Sequence, residues 1–301
     1  MSVAEFSIKR PVTAVMFFIS LFVIGLIAAI RLPLPEGFWL QAGIVAASIA
    51  VMVGLSVNSS LRQHRRATVW ISSMSLLILI GLFVGYPYLS ALDQGVMTLV
   101  QEHRQPMLDE IAVTLTLIGE FHNMLMFSAL LTGLLLLCRQ WRQAIFAGGT
   151  LLCTALLNTV TKQFFARVRP EVLTDPLTSY SMPSGHASGS FALFLVLAVL
   201  AGRGQPPRMR LTWLLLGCIP ALSIALSRVY LGAHWLSDIV GGMLLGIVWL
   251  LVLGIAYRRH VERSFWMRPV AAIFYITFAV AALWHAPRAV DPLLAKFAPK
   301  S

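Results

Sequence analysis

The chain has 301 residues, of which 58% are hydrophobic and only 12% charged, and its mean hydropathy is +0.81. About a quarter of an ordinary soluble domain is charged, so this composition excludes a soluble globular protein and points to an integral membrane protein. The formal net charge of +11 would suggest nucleic acid in a soluble chain. In a membrane protein the Lys and Arg that collect in cytoplasmic loops account for most of it, and no nucleic-acid partner is expected.

Nine apolar runs near the spanning length of about 20 residues follow one another at 12–30, 38–57, 67–86, 123–138, 143–163, 187–201, 211–227, 238–257 and 269–284. They are continuous rather than alternating, so the predicted fold is all-α, a polytopic membrane helix bundle and not a barrel. The first run follows Lys9 and Arg10 and is read as a retained span. It is long for a signal-peptide core, and the Arg-Leu-Pro-Leu-Pro-Glu after it is no small-residue cleavage site. The fourth and sixth runs are short and are expected to extend into their polar flanks. Between the third and fourth, 87–122 is too polar to span; its apolar residues recur at helical spacing, predicting an interfacial helix and a break at Gln105-Pro106. The cysteines, Cys138, Cys153 and Cys218, fall in apolar runs and read as small buried hydrophobes.

The connections on one side of the predicted bundle carry 14 of the 23 basic residues, against only Glu5 and Glu262 among the acids. That asymmetry predicts a cytoplasmic N-terminus and an outer C-terminus. It also places 162–186 and 228–238 together on the outer face.

Those two stretches hold the polar residues that an apolar chain has least reason to keep. Lys162 and Arg169 are seven apart, about two helical turns, and are expected to project from one helix face; Arg167, off that face, is assigned to headgroup anchoring. Pro183-Ser-Gly-His186 opens the sixth run. A Ser-Gly turn at a helix start aims backbone N–H groups and the positive dipole end at one point, an anion site to which Ser184 adds a hydroxyl and His186 a proton-transfer group. Ser227-Arg228 ends the seventh run, and His234 and Asp238, at i and i+4, are expected to share one face of the eighth helix. A carboxylate there fixes the imidazole tautomer and stabilises its cation.

Three cations, a backbone anion cradle and two histidines on one face suit a tetrahedral oxyanion with a nucleophile and an acid. The inferred chemistry is phosphoryl transfer from a phosphate ester or anhydride, driven by electrostatic positioning. No carboxylate cluster is present to hold magnesium, so the cations take the metal's task and no metal or other cofactor is expected.

Lys162-x6-Arg169-Pro170, Pro183-Ser-Gly-His186 and Ser227-Arg228-x5-His234-x3-Asp238 together resemble the signature of the type 2 phosphatidic acid phosphatase superfamily, shared with the soluble vanadium haloperoxidases. The resemblance implies a six-span phosphatase core at 67–257, with a two-span extension at 1–66 and a further span and tail at 258–301. It implies that His234 attacks phosphorus and becomes a phosphohistidine oriented by Asp238, and that His186 protonates the leaving oxygen and then activates water. Lys162, Arg169 and Arg228 bind the phosphate oxygens with Ser184 and the Gly185 N–H.

The expected protein is a lipid phosphate or pyrophosphate phosphatase of a bacterial inner membrane, acting on the outer face. Its partners would be the bilayer and a phosphorylated lipid: undecaprenyl pyrophosphate, phosphatidic acid or phosphatidylglycerol phosphate. Two alternatives stay open at this level. One is a phosphotransferase passing the same phosphoryl group to an acceptor such as lipid A; the other is a non-catalytic lipid-binding or transport protein on the same fold.

Overall fold

The computed structural model describes residues 35–46, 85–175, 177–260 and 267–299, with single positions between 73 and 81. The first expected span lies outside the described residues, as do most of the second, which completes the extension at 1–66, and most of the third, which opens the expected core. A helical stretch at 38–46 is the described part of the second.

After a 3-10 turn at Tyr86–Leu89, eight α-helices follow among the described residues, in the order α1 (Ser90–Glu102), α2 (Pro106–Ile118), α3 (Phe121–Leu137), α4 (Trp141–Phe165), α5 (Gly185–Gly202), α6 (Pro207–Tyr230), α7 (Leu236–His260) and α8 (Arg268–Lys296). Among the described residues the only β-type pairing is an isolated bridge between Leu173 and Pro299. The all-α expectation therefore holds. Helices α4, α5, α6 and α7 are each long and apolar enough to cross a membrane.

The stretch expected at 87–122 divides where Gln105-Pro106 predicts, into α1 and α2. Its second half is less of a surface element than its polarity suggests. Val113, Leu117 and Ile118 are buried, and α2 continues into α3 across a break bent by 53°, the pair together long and apolar enough to cross. Polar residues crowd the start of α2 and apolar ones its end, so a composition averaged over the whole stretch hides the change. Cys138, expected to be buried, is exposed at the C-cap of α3.

Helix α5 is the axis of the bundle. Its run GHASGSFALFLVLAVLAG is apolar on all sides, and a helix of that kind is stable only when surrounded. Helices α3, α4, α6 and α7 pack against it, and Leu193, Phe194, Val196 and Leu197 are fully buried. Two glycines one turn apart on α7 set how near it comes. A Cβ on Gly242 would lie 2.5 Å from the Ser184 carbonyl oxygen, and one on Gly246 2.8 Å from that of Ser188. Small residues at i and i+4 let two helix backbones approach closely. Here they bring the N-termini of α5 and α7 side by side.

Helix α6 carries Pro220 in its interior, which removes the N–H that would have bonded the Leu216 carbonyl one turn earlier. The Tyr275 hydroxyl of α8 donates to that carbonyl at 3.1 Å. Helix α8 thus supplies, from Tyr275, the donor that Pro220 removes from the interior of α6.

Candidate active site

Helix α4 stops at Phe165. Ala166 takes left-handed backbone, φ 44°, while its N–H bonds the Lys162 carbonyl at 3.0 Å. Lys162 and Arg169 therefore do not share a helix face: the helix ends between them, because Ala166 turns the chain out at the C-cap and Pro170 follows. They converge by another route. The Ser181 N–H donates to the Arg167 carbonyl at 2.9 Å, and the Ser181 hydroxyl and Trp235 Nε1 donate to that of Val168 at 3.2 and 3.1 Å. With 166–170 so held, Lys162 Nζ donates to the Tyr180 carbonyl at 2.8 Å, and Arg169 Nη2 reaches the same oxygen at 3.4 Å. Arg169 also donates to the Ser179 carbonyl, through Nε, and to the Ser179 hydroxyl, at 2.6 and 2.8 Å.

The Ser-Gly turn forms as expected. Ser184 is the N-cap of α5, its hydroxyl accepting from the Ala187 N–H at 3.4 Å. Its own N–H donates to the Asp238 carbonyl at 3.0 Å, which ties the start of α5 to α7. Asn158 of α4 braces the same turn, donating to the Ser188 hydroxyl at 3.0 Å and the Pro183 carbonyl at 3.4 Å. The N–H groups of Gly185 and His186, in the first turn, have no intrahelical acceptor and point out of the helix start.

The third piece departs from its expected geometry. After α6 the chain reverses through Gly232, φ 72°, and the N–H groups of Ala233 and His234 both donate to the Arg228 carbonyl, at 3.0 and 3.2 Å. His234 stands two residues ahead of α7, so it does not share a helix face with Asp238. The tight turn after α6 uses up the residues that would have formed the preceding helical turn. The pair meets all the same, with His234 Nδ1 3.4 Å from Asp238 Oδ2. On the ring's other side Arg169 Nη1 lies 3.0 Å from Nε2. A guanidinium has only donors to offer, so Nε2 is the acceptor, Nδ1 carries the proton toward Asp238, and the Nε2 lone pair faces the cations. Burial, and after it the neighbouring charges of Arg169 and Arg228, hold the His234 imidazole well below its ordinary 6.5. Burial likewise lowers Arg169 from its usual range.

Lys162, Arg169, Arg228, His186 and His234 lie near enough to perturb one another electrostatically. All eight residues singled out in the sequence thus gather around the starts of α5 and α7. Two of them have buried polar atoms with no hydrogen-bond partner among the described residues, His186 Nε2 and Arg228 Nε. Each such atom costs about 1–3 kcal/mol, and at this point a ligand carrying its own oxygens can complete the bonding.

The structure adds residues that the motif did not contain. Arg167, expected to anchor in headgroups, is turned inward: Nη1 pairs with Asp238 Oδ1 and Nη2 with Asp93 Oδ2 of α1, both at 2.7 Å. The correction has a simple cause, since α4 has ended before Arg167 and a helical face no longer decides where the side chain goes. Phe297, just past α8, lies under Arg228, whose guanidinium carbon is 5.2 Å from the ring centroid. Its carbonyl accepts from Arg104 Nη1 at 3.1 Å, and Thr174 N–H donates to Ala298 O at 3.0 Å. No periodicity links 93 to 238 or 297 to 228, so nothing in the sequence pointed to either pair. Among the described residues no group of three or more His, Cys, Asp or Glu stands together, and both buried carboxylates are taken up by Arg167.

Residues 143–262 match the model of the PAP2 superfamily. The chain is 30% identical over 154 residues to phosphatidylglycerophosphatase B of Bacillus subtilis, covering 48% of this chain and 73% of the relative. The chain belongs to the PAP2 superfamily. It is also 36% identical over 102 residues to undecaprenyl-diphosphatase of Sulfolobus acidocaldarius, covering 30% of this chain and 44% of that protein. With lipid A 1-phosphatase of Rhizobium etli it shares 30% identity over 121 residues, 36% of this chain and 48% of the other. The crystal structure of a transmembrane PAP2-type phosphatidylglycerolphosphate phosphatase from Bacillus subtilis superposes with a TM-score of 0.57 at 23% identity, covering 64% of this chain and 98% of that one. The shared PAP2 fold and the long apolar helices make this a multi-pass membrane protein. Asp93 and Phe297 both lie outside the residues that match the family model.

Proposed function

We propose that this protein hydrolyses a phosphate monoester or pyrophosphate on a membrane lipid through a phosphohistidine at His234. The observation that carries the reading is the convergence of an unprotonated Nε2 lone pair, three cations and the open N-terminus of α5 on one buried point. Lys162, Arg169 and Arg228, with the Ser184 hydroxyl and the Gly185 N–H, hold the phosphate oxygens and offset the charge that builds up in the transition state. His234 Nε2 forms a bond to phosphorus as the bond to the lipid or phosphate oxygen breaks, and Asp238 supports the resulting cationic ring through Nδ1–H. His186 gives its proton to the departing oxygen, then takes one from the water that cleaves the P–N bond, returning the enzyme to its starting state.

The site lies on the outer face of a bacterial inner membrane, with the N-terminus in the cytoplasm and the C-terminus outside. The concentration of Arg in the connections opposite the site supports this placement. The site belongs to a six-span core at 67–257, flanked by the segments at 1–66 and 258–301. The names of the relatives favour phosphatidylglycerol phosphate and undecaprenyl pyrophosphate as substrates, with phosphatidic acid of the same chemical class.

Phosphate release from this lipid panel by the purified protein in EDTA tests the reading. His234→Ala is expected to lose about a thousandfold or more in turnover while keeping its fold; wild-type turnover in that variant would sink the mechanism. Labelled phosphate passed to a second lipid instead of water would turn the reaction into a transfer. Because His234 is neutral well below 6.5, the acid limb of kcat/KM due to this residue is expected below that pH. It should stay there for mono- and diphosphate substrates alike, and an acid limb above 6.5 assigned to the enzyme would contradict the assignment.

A further inference from the structure

The bonds around Asp238 extend beyond the family motif and reach a helix that the motif does not include. Asp238 is fully buried at the start of α7. Its Oδ2 faces the Trp235 N–H at 2.9 Å and His234 Nδ1, while Oδ1 is held by Arg167 Nη1 at 2.7 Å. The other arm of Arg167 is held by Asp93, and Ser237 closes the ring. The Ser237 hydroxyl accepts from Arg167 Nη1 at 2.6 Å and donates to Asp93 Oδ2 at 2.6 Å, and its N–H donates to Asp93 Oδ1 at 2.9 Å. The rings of Tyr86 and Trp235 flank the guanidinium, their centroids 4.8 and 5.7 Å from its central carbon.

We propose that Arg167, clamped by Asp93 of α1, is a positioning residue that decides which Asp238 oxygen faces His234 and holds the local charge at minus one. The inference rests on His234 being the nucleophile. With Oδ1 occupied by the guanidinium, the carboxylate plane cannot rotate, and Oδ2 alone is left for the imidazole. Asp93 and Asp238 with Arg167 between them carry one net negative charge, which matches the one positive charge that His234 gains on bonding phosphorus. A bare Asp238 would supply that charge without the orientation. An Arg167–Asp238 pair lacking Asp93 would give the orientation with no net charge. Phosphate itself is bound by other groups, so the clamp governs the rate of the phosphoryl step and not the affinity for phosphate.

The experiment compares Arg167→Gln, Arg167→Lys, Asp93→Asn and the Asp93→Asn/Arg167→Gln double variant, with His234→Ala as reference. Three quantities are read: kcat on the lipid substrate, the inhibition constant of inorganic phosphate, and thermal stability in detergent. Arg167→Gln, which leaves two carboxylates facing each other, is expected to lower kcat about 10- to 100-fold with the phosphate constant moved less than about threefold. Arg167→Lys recovers part of the loss. The double variant, back at one net negative charge, is expected to be about tenfold faster than Arg167→Gln. Asp93→Asn keeps the shape of the site and loses about tenfold in kcat, so it serves where Arg167→Gln does not fold. Full kcat in Arg167→Gln or in Asp93→Asn overturns the proposal. So does a folded double variant as slow as Arg167→Gln, or parallel loss of phosphate binding and rate. An active His234→Ala would instead bring down the mechanism on which the proposal rests.

Discussion

The pole of the bundle at the starts of α5 and α7 and the stem of α5 beyond it are built on opposite terms. In the stem, Leu193, Phe194, Val196 and Leu197 are held by close contact with apolar neighbours, a non-directional attraction summed over many atom pairs. At the pole, Ser184, His234 and Asp238 are as deeply buried, yet each is located by bonds with a direction and a length. The contrast shows what each part is for. A stem can trade one apolar side chain for another of similar volume, whereas the pole has to place lone pairs and charges, and does so with carbonyls, an aspartate and an arginine from segments far apart in the chain.

The strongest way to break the contrast is at the residue that serves both regions. Gly242→Val puts a Cβ 2.5 Å from the Ser184 carbonyl and must push the start of α5 away from α7. A displacement of about 1 Å at a reacting group costs about a hundredfold. kcat/KM is therefore expected to fall by that much or more, together with a lower melting temperature; a folded, fully active variant would show that the close approach does not set the site. Phe297→Leu acts on the pole alone. Losing the aromatic face under Arg228 removes about 0.5–2 kcal/mol, so KM is expected to rise about two- to thirtyfold, with Phe297→Tyr close to wild type. If Leu and Tyr behave alike at this position, packing and not the ring's charge distribution supports Arg228. Tyr275→Phe sharpens the other side. It leaves the Leu216 carbonyl beside Pro220 without its donor, at a cost of about 1 kcal/mol, and should lower the melting temperature slightly with kcat unchanged. A change in kcat there would mean that stem and pole are coupled.

The eight motif residues were legible from the sequence because their chemistry is expensive in an apolar chain and their types fit one task. Their geometry was less so. Helical spacing put Lys162 with Arg169 and His234 with Asp238, and each pair is close in the structure, but not on a helix. Periodicity assumes that the helix continues, and it stops at Phe165 in one case and has not begun at His234 in the other. Arg167 was misread for the same reason. Asp93, Asn158 and Phe297 carried no signal, because pairing across 145, 30 and 69 positions (Asp93 to Asp238, Asn158 to Ser188, Arg228 to Phe297) follows from packing and leaves no local pattern.

The chain's composition alone determined that it lives in a bilayer as helices, since hydrocarbon tolerates only segments whose backbone bonds are satisfied within themselves or in closed barrels, and its continuous runs rule out the barrel. Residue type and spacing were likewise enough to indicate phosphoryl chemistry. Which nitrogen of His234 carries the proton, which oxygen of Asp238 receives it, and that α1 and the residues after α8 close around the site were decided only by the tertiary structure. The physical reason is that hydrogen bonds and ion pairs depend on distance and angle, and these exist only once the helices have packed.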